Sequence, residues 1–458
     1  MNTFERELMR RSPLAACVLE ICDYIFHDEF LDSVWDAYRG RCYNDTLKFP
    51  EFLRLMRDAL VNHRGSAHQM FVDLETDDKA PIHQSNFYRK LGNIPAPLSR
   101  ALLREGTARL ADLMPGDVAT LPGCFDRFRA IIADGKKVKN AAKRLAQTRG
   151  YAGKLLGATA MVALDARSGL VLAMNDSLDG MTNDVPLVAG LMEQLHERIP
   201  GPLLSIVDRQ FDDVKTMKRL AARPDDAFVV RAKQTQACFA VESTVKSFDA
   251  EGRRVIDQIG VLGKGKQTMR VRRVTLVRKG EGEEDVVLLT NLLDRAVFSA
   301  ADLLALYKER WGIERVFQQV TETFSLEHLI GSRPRAALLQ LAFCLLLYNL
   351  MQVVKAYVAD DGKVLSSVVS MFYLFHDVRR ELSAWAYHTD GSWPRVKRDA
   401  VAMRLRLREL LKGSWNPVAY TKASDKKPRP RAAPKRLLHG GYTSVQRLLD
   451  GNVRLAKT

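Results

Sequence analysis

The chain has 458 residues, of which 47% are hydrophobic, and carries 70 basic against 54 acidic side chains, a net charge of +16. Such a composition excludes a disordered or fibrous chain, and the length argues for two to four domains. A basic excess of this size points to a polyanionic partner.

The six cysteines (Cys17, Cys22, Cys42, Cys124, Cys238 and Cys344) are scattered, with no CxxC pair and no histidines at zinc spacing. They read as reduced thiols of a cytosolic protein. The opening "MNTFERELMRR" mixes charges of both signs and lacks the apolar core of a signal peptide.

In chain order, residues 1 to about 115 place Leu, Phe and Met at three- and four-residue spacing, as in "FPEFLRLMRDALVNH". This predicts a helical domain with a basic face, suited to DNA. The pattern changes near residue 127. "RFRAIIADGKKVK" reads as a strand running into an Asp-Gly turn, and "GATAMVALDARSGLVLAMN" as two strands around a hairpin. "VPLVAGLMEQLHERI" is an amphipathic helix, and "GPLLSIVDRQF" a buried strand with an aspartate at its end. Strands, a helix and another strand predict an α/β core around a buried sheet. From 227 to about 292, "AFVVRAK", "RVIDQIGVL", "MRVRRVTLVRKG" and "DVVLLTNLL" are four β-type segments between Gly-, Lys- and Glu-rich turns. Residues 301 to 412 return to helical spacing. Within them "AALLQLAFCLLLYNLMQVV" (336–354) is long enough to raise the membrane question. Its Gln340, Asn349 and Gln352 and its isolation favour a helix buried in a soluble core. Residues 422–436, "KASDKKPRPRAAPKR", form a Pro-punctuated basic linker.

Chemistry concentrates in "LYKERWGIERVF" (306–317), where helical spacing puts Tyr307, Arg310 and Glu314 on one stripe. Taken alone, Arg310 and Glu314 fit a solvated i,i+4 ion pair as readily as a functional pair. Two strand-terminal aspartates tip the balance: Asp134 ends "AIIAD" and Asp208 ends "LLSIVD". Three carboxylates drawn together repel one another unless a divalent cation neutralises them, the arrangement of two-metal phosphoryl transfer. Asp165 rivals Asp134 as first carboxylate, but a hairpin turn explains it. Asp176, Asp179 and Asp184 read as solvated loop acids. The basic run Lys136, Lys137, Lys139, Lys143, Arg144, Arg149 and Lys154 suits a phosphate-tracking surface.

In this order, "ADGKK", "VDRQF", "FVVRAK" and "YKERWGIE" resemble the motifs of bacterial DDE transposases of the insertion-sequence-four type, from about residue 125 to 350. The resemblance implies a ribonuclease H-like mixed-sheet α/β core (125–232 and 293–355). A β-rich insertion (233–292) would interrupt it, a helical DNA-binding domain (1–120) precede it and a helical region for dimerisation or DNA contact (356–458) follow it. It implies that Asp134, Asp208 and Glu314 bind two Mg²⁺ ions, with Mn²⁺ able to substitute. The reaction would be cleavage at inverted-repeat transposon ends in double-stranded DNA, often through a hairpin, then strand transfer into target DNA. A homodimer would form the synaptic complex, in the bacterial cytoplasm on the nucleoid and without a membrane. The expected DNA contacts are Tyr307, Arg310, Arg315, Lys136, Lys137, Lys139, Lys143, Arg144, Arg209 and Arg333. Two departures stand out: the family's lysine after Glu314 is Thr321 here, and the insertion has no Trp to stack a flipped base. Phe239 or Phe248 could stack instead, though both read more readily as core. A nuclease or resolvase that cuts without joining, and a non-catalytic transposase-derived regulator, are the competing readings.

Overall fold

The computed structural model describes residues 3–42, 46–233, 239–278, 284–389, 397–421 and 441–453. The basic linker 422–436 and Cys238 lie outside the described residues.

Among the described residues seven helices come first: α1 (Thr3–Arg11), α2 (Pro13–Ile25), α3 (Asp28–Tyr38), α4 (Phe49–Val61), α5 (Ala67–Thr76), α6 (Gln84–Asn93) and α7 (Ala96–Ala111). Proline in the first turn of α2, α4 and α7 costs no hydrogen bond there and fixes where each helix begins. The apolar faces meet in an aromatic cluster in which Phe52, Phe71 and Tyr88 pack around Phe87.

The core follows as β1 (Arg129–Val138), β2 (Lys154–Leu156), β3 (Ala158–Asp165), β4 (Val171–Ser177), α8 (Val188–Arg198), β5 (Leu203–Val207), α9 (Val214–Leu220) and β6 (Ala227–Arg231). Next come β7 (Phe239–Phe248), β8 (Arg254–Lys264), β9 (Gln267–Leu276) and β10 (Val286–Thr290). The helical region holds α10 (Ala300–Lys308), α11 (Trp311–Glu322), α12 (Pro334–Asp361), α13 (Met371–Thr389), α14 (Ala400–Leu410) and α15 (Pro417–Tyr420). The last described elements are β11 (Tyr442–Ser444) and α16 (Val445–Leu449).

One nine-stranded sheet runs β4-β3-β1-β5-β6-β10-β9-β8-β7. Its first five strands have β1 central, antiparallel to β3 and parallel to β5, with β5 parallel to β6. That is the expected ribonuclease H-like order within a mixed α/β fold. The insertion strands prolong the same sheet, because β10 pairs antiparallel with β6. Alternation along β1 feeds two cores: Ala130, Ile132 and Val138 pack with the helices of one face, including α7, α11 and α12, and Ile131 and Ala133 pack with α8 and α9 on the other.

Two strand readings need correction. Asp134 does not end its strand: β1 runs on through Gly135 to Val138 because β3 keeps pairing with it after β5 has stopped. Strand β7 escaped the sequence pattern, since its Glu242, Ser243, Thr244 and Lys246 are the polar residues of an exposed sheet edge. There Phe248 is 73% exposed rather than core, and Phe239 lies partly buried beneath the Arg273 guanidinium, 4.2 Å from its ring centre.

Helix α12 contains the apolar run 336–354 and is the one described helix long and apolar enough to cross a membrane, yet its apolar window is wholly buried in the protein. Its polar residues are structural. Asn349 accepts from the Val171 amide at 2.8 Å and donates to Thr107 Oγ1 at 2.7 Å, locking α12 to β4 and α7. Gln340 accepts from the Ile330 amide at 2.9 Å.

Candidate active site

Asp134 and Asp208 are brought level by the sheet register. The last parallel pair between β1 and β5 is Ile132 opposite Ile206, and each aspartate follows two residues later, Asp134 still within β1 and Asp208 just past the end of β5. Adjacent strands lie roughly 5 Å apart, so the two carboxylates emerge side by side where the strands part. Each is held by a backbone amide close by: Gly135 N–H donates to Asp134 Oδ1 at 2.8 Å, and Gln210 N–H donates to Asp208 Oδ1 at 2.9 Å. The second bond makes Asp208 the cap of a short 3-10 turn, Arg209–Phe211, which fixes its rotamer.

Glu314 comes from the first turn of α11, which packs against β1. The helix carrying the motif is broken between α10 and α11 at Glu309–Arg310, but both residues keep right-handed helical angles, so the Tyr307–Arg310–Glu314 stripe survives. Arg310 is 8% exposed and stands between two of the carboxylates. Its guanidinium is 2.7 Å from Glu314 Oε1 and 3.6 Å from Asp134 Oδ2. The Tyr307 ring centre is 6.0 Å from that guanidinium, and that of Trp311, 59% exposed, is 5.9 Å from it.

The electrostatics are those of a strained acidic centre. Burial, aided by the Asp208 carboxylate, pushes Asp134 up to about 6 against the pull of the Gly135 amide and Arg310. Burial likewise lifts Tyr307 to about 12, so its hydroxyl stays protonated at neutral pH. As placed, no three His, Cys, Asp or Glu side chains among the described residues are close enough to grip one ion, and the Arg310 guanidinium occupies the space between Asp134 and Glu314. The donor set nonetheless suits a hard divalent cation: all three are carboxylates, and burial holds Asp134 above its ordinary range.

Lys136 supplies what Thr321 lacks. Two residues beyond Asp134 on the same face of β1, its Nζ donates to Thr321 Oγ1 at 2.7 Å and to the Phe317 carbonyl at 3.3 Å. An ammonium thus arrives from the strand at the helix position where the resemblance led us to expect one on the helix. Burial lowers Lys136 to about 8.

The other expected cations spread outward. Lys137 points to the opposite face of β1, and Lys139 is exposed in the turn beyond it. Lys143 donates to the Tyr151 carbonyl, and Arg144 is exposed. Arg209 pairs with Glu284 at 3.3 Å, and Arg315 is exposed on α11. Arg333, at the start of α12, reaches Asn93 of α6 at 3.4 Å rather than the carboxylates.

Asp165 sits in the hairpin read for it, while the acids read as solvated need correction. Asp165 is buried in its hairpin, salt-bridged to Arg129 and bonded to Ser168 at 2.9 Å. Asp176 is not solvated: burial pushes it up to about 6, and Arg100 sits 3.2 Å away. Asp179 pairs with Arg447 at 2.8 Å. Asp184 is half-buried and accepts from Gln210 Nε2 at 2.7 Å. Neither Asp184 nor Gln210 was selected by sequence reasoning, and only the placement of Gln210 inside "VDRQF" hinted at either.

Residues 127–350 match the family described as "Transposase DDE domain". A 131-residue stretch is 30% identical to "Putative transposase y4zB" of Sinorhizobium fredii (strain NBRC 101917 / NGR234), covering 28% of this chain and 35% of that protein. The match therefore spans about a third of that curated relative's length. Among solved structures, the piggyBac transposase synaptic complex with hairpin DNA aligns over 92% of this chain and 78% of that one, with a TM-score of 0.36 and 12% identity.

Proposed function

We propose that this chain is a DNA transposase that cleaves transposon ends and joins them to target DNA by carboxylate-dependent phosphoryl transfer. The observation that carries the reading is the register that sets Asp134 and Asp208 level at the mouth of β1 and β5, with Glu314 linked to Asp134 through Arg310. The family match over residues 127–350 supports it.

Asp134, Asp208 and Glu314 would hold the divalent ions, Mg²⁺ or Mn²⁺. Bound there, such ions lower the pKa of a nucleophilic water or hydroxyl and neutralise charge on the leaving oxygen. In the proposed cleavage a water oxygen gives up a proton and adds to phosphorus as the P–O3′ bond breaks, and the departing 3′-oxygen takes up a proton to become a 3′-hydroxyl beside a 5′-phosphate. That 3′-oxygen then attacks a target phosphorus and displaces another 3′-oxygen. Arg310 is the group to hold a non-bridging phosphate oxygen when Glu314 turns from it toward the ions, since a guanidinium offers a planar fork of donors. Lys136 supplies a second cation one helical stretch away, and the protonated Tyr307 a hydrogen-bond donor.

Binding of duplex DNA beyond the centre is supported by a cleft of about 670 Å³ in the N-terminal helices, lined by Arg39, Arg41, Arg89, Lys90 and, from α12, Arg335. No described lining residue is acidic. Phosphate contacts of this kind give sequence-independent affinity. A homodimer pairing two inverted-repeat ends is part of the same proposal.

The test uses the full chain, Mg²⁺ and a DNA fragment carrying the inverted repeats that flank the gene, with a supercoiled plasmid as target. Cut ends joined to the plasmid, and lost with Glu314→Gln, support the transposase. Cutting without joining would make it a nuclease, and end binding without cutting a regulator.

A further inference from the structure

Asp184 lies between β4 and α8, directly before a short 3-10 turn, Val185–Leu187. An aspartate there ordinarily caps the turn with its side chain, but this one makes no such bond. Its carboxylate lies instead against Gly135 and Gln210, on the face of β1 opposite the Asp134 side chain. Asp184 Oδ2 accepts from Gln210 Nε2 at 2.7 Å, and the same Gln210 gives its backbone N–H to Asp208 Oδ1 at 2.9 Å. Toward β1, a Cβ built on Gly135 would lie 2.1 Å from Asp184 Cγ and 2.2 Å from each of its oxygens. The carboxylate therefore rests on the bare Cα of the residue whose amide holds Asp134. Gly135 is not among the residues of positive φ, so glycine is required here for room and not for backbone freedom. Asp184 Oδ1 is buried without a hydrogen-bond partner.

We propose that Asp184 is a positioning residue set behind the candidate centre, one that braces the Asp134 and Asp208 turns through Gly135 and Gln210 and whose charge strengthens divalent-cation binding there. The inference rests on the phosphoryl-transfer reading above. Brace and charge separate cleanly. An asparagine at 184 keeps an oxygen for Gln210 Nε2 and loses the charge, whereas a methionine at 210 loses the side-chain donor and keeps both the Asp208 amide bond and the Asp184 charge. Lys137, on the same face of β1 as Gly135, offsets part of that charge.

The experiment measures Mn²⁺ binding to the full chain without DNA, from the electron paramagnetic resonance signal of free Mn²⁺, alongside end cleavage as a function of Mg²⁺. Asp208→Asn is the reference variant. Asp184→Asn is expected to weaken Mn²⁺ binding and raise the half-saturating Mg²⁺ together, by about three- to tenfold at low salt, the size expected for one charge several ångströms from a divalent ion. Its melting temperature should stay within about 2 °C of the wild type. Gln210→Met is expected to slow cleavage at saturating Mg²⁺ with a smaller change in Mn²⁺ affinity. Weak Mn²⁺ binding by Asp208→Asn with wild-type behaviour of Asp184→Asn and Gln210→Met would overturn this inference alone. If Asp208→Asn also binds Mn²⁺ like the wild type, the metal-dependent reading fails with it. Should Asp184→Asn not fold, wild-type kinetics in Gln210→Met would overturn the brace.

Discussion

Replacing Asp134 by asparagine should stabilise the metal-free protein while abolishing its activity. Asp134 has a 17% exposed side chain and is held at about 6 against an ordinary 3.8. At roughly 1.4 kcal/mol per pKa unit, ionising it in the fold at neutral pH costs about 3 kcal/mol as an upper limit. Asparagine keeps an oxygen for the Gly135 amide but gives up the 3.6 Å contact with Arg310, so a net gain of about 1–2 kcal/mol is expected. For a carboxylate raised in the folded state, stability is full below the unfolded pKa and falls as pH rises through the folded one. The advantage of Asp134→Asn should therefore be largest above pH 7 and shrink as pH falls from about 6 toward 4. Thermal melting in EDTA across this range reads it as a rise of a few degrees. Added Mg²⁺ should reverse the order by stabilising only the wild type. A variant that melts lower than the wild type in EDTA, or one whose gain does not change with pH, would refute the account of Asp134 as a carboxylate raised by burial.

Four further outcomes follow from the same geometry. Mn²⁺ affinity of the wild type should be level above pH 7 and weaken as pH falls through about 6, where Asp134 takes up its proton; titrations at pH 5.5 and 7.5 check this. Lys136→Met should weaken DNA binding and reduce the slope of log affinity against log salt by about one. The wild-type contribution of Lys136 should also fade in the free protein as pH rises past about 8. Arg310→Ala should destabilise the protein in EDTA by about 1–3 kcal/mol by leaving Asp134 and Glu314 without their cation, and Mn²⁺ should recover most of that loss. In the insertion, Arg272 is fully buried and forks onto Asp257 at 3.0 and 2.6 Å, so Arg272→Ala should cost about 3–5 kcal/mol in urea unfolding by leaving a buried carboxylate under-paired.

Much of the fold was legible because periodicity is a local signal. The strands around "DARSG", the buried β5 and the long α12 all follow from apolar spacing, and polar Asn349 marked α12 as a core helix before its partners Thr107 and Val171 were known. Asp208 was legible as the residue after a buried apolar run, and Tyr307, Arg310 and Glu314 as one helical stripe, whereas the strand end read at Asp134 is not there. What lay beyond reach depended on pairing between distant segments. The extension of β1 past Asp134 is set by β3, about thirty residues away. The ammonium at Thr321 comes from Lys136, 185 residues earlier in the chain. Asp184 looked like a loop acid because nothing near it in sequence shows that Gly135 and Gln210 close around it. Edge strand β7 was missed for a different reason: its exposed face has no need of the apolar alternation by which strands are recognised.

Single-turnover cleavage of end-containing DNA by the wild type and by Asp134→Asn, Asp208→Asn, Glu314→Gln and Asp165→Asn, each corrected for its folded fraction, separates the catalytic carboxylates from a structural one. The account predicts a loss of about a thousandfold or more for the first three. Asp165→Asn, whose residue is bound up in its hairpin with Arg129 and Ser168, should cleave at close to the wild-type rate. Cleavage that survives Asp134→Asn or Glu314→Gln, or that is lost with Asp165→Asn in folded protein, would contradict it.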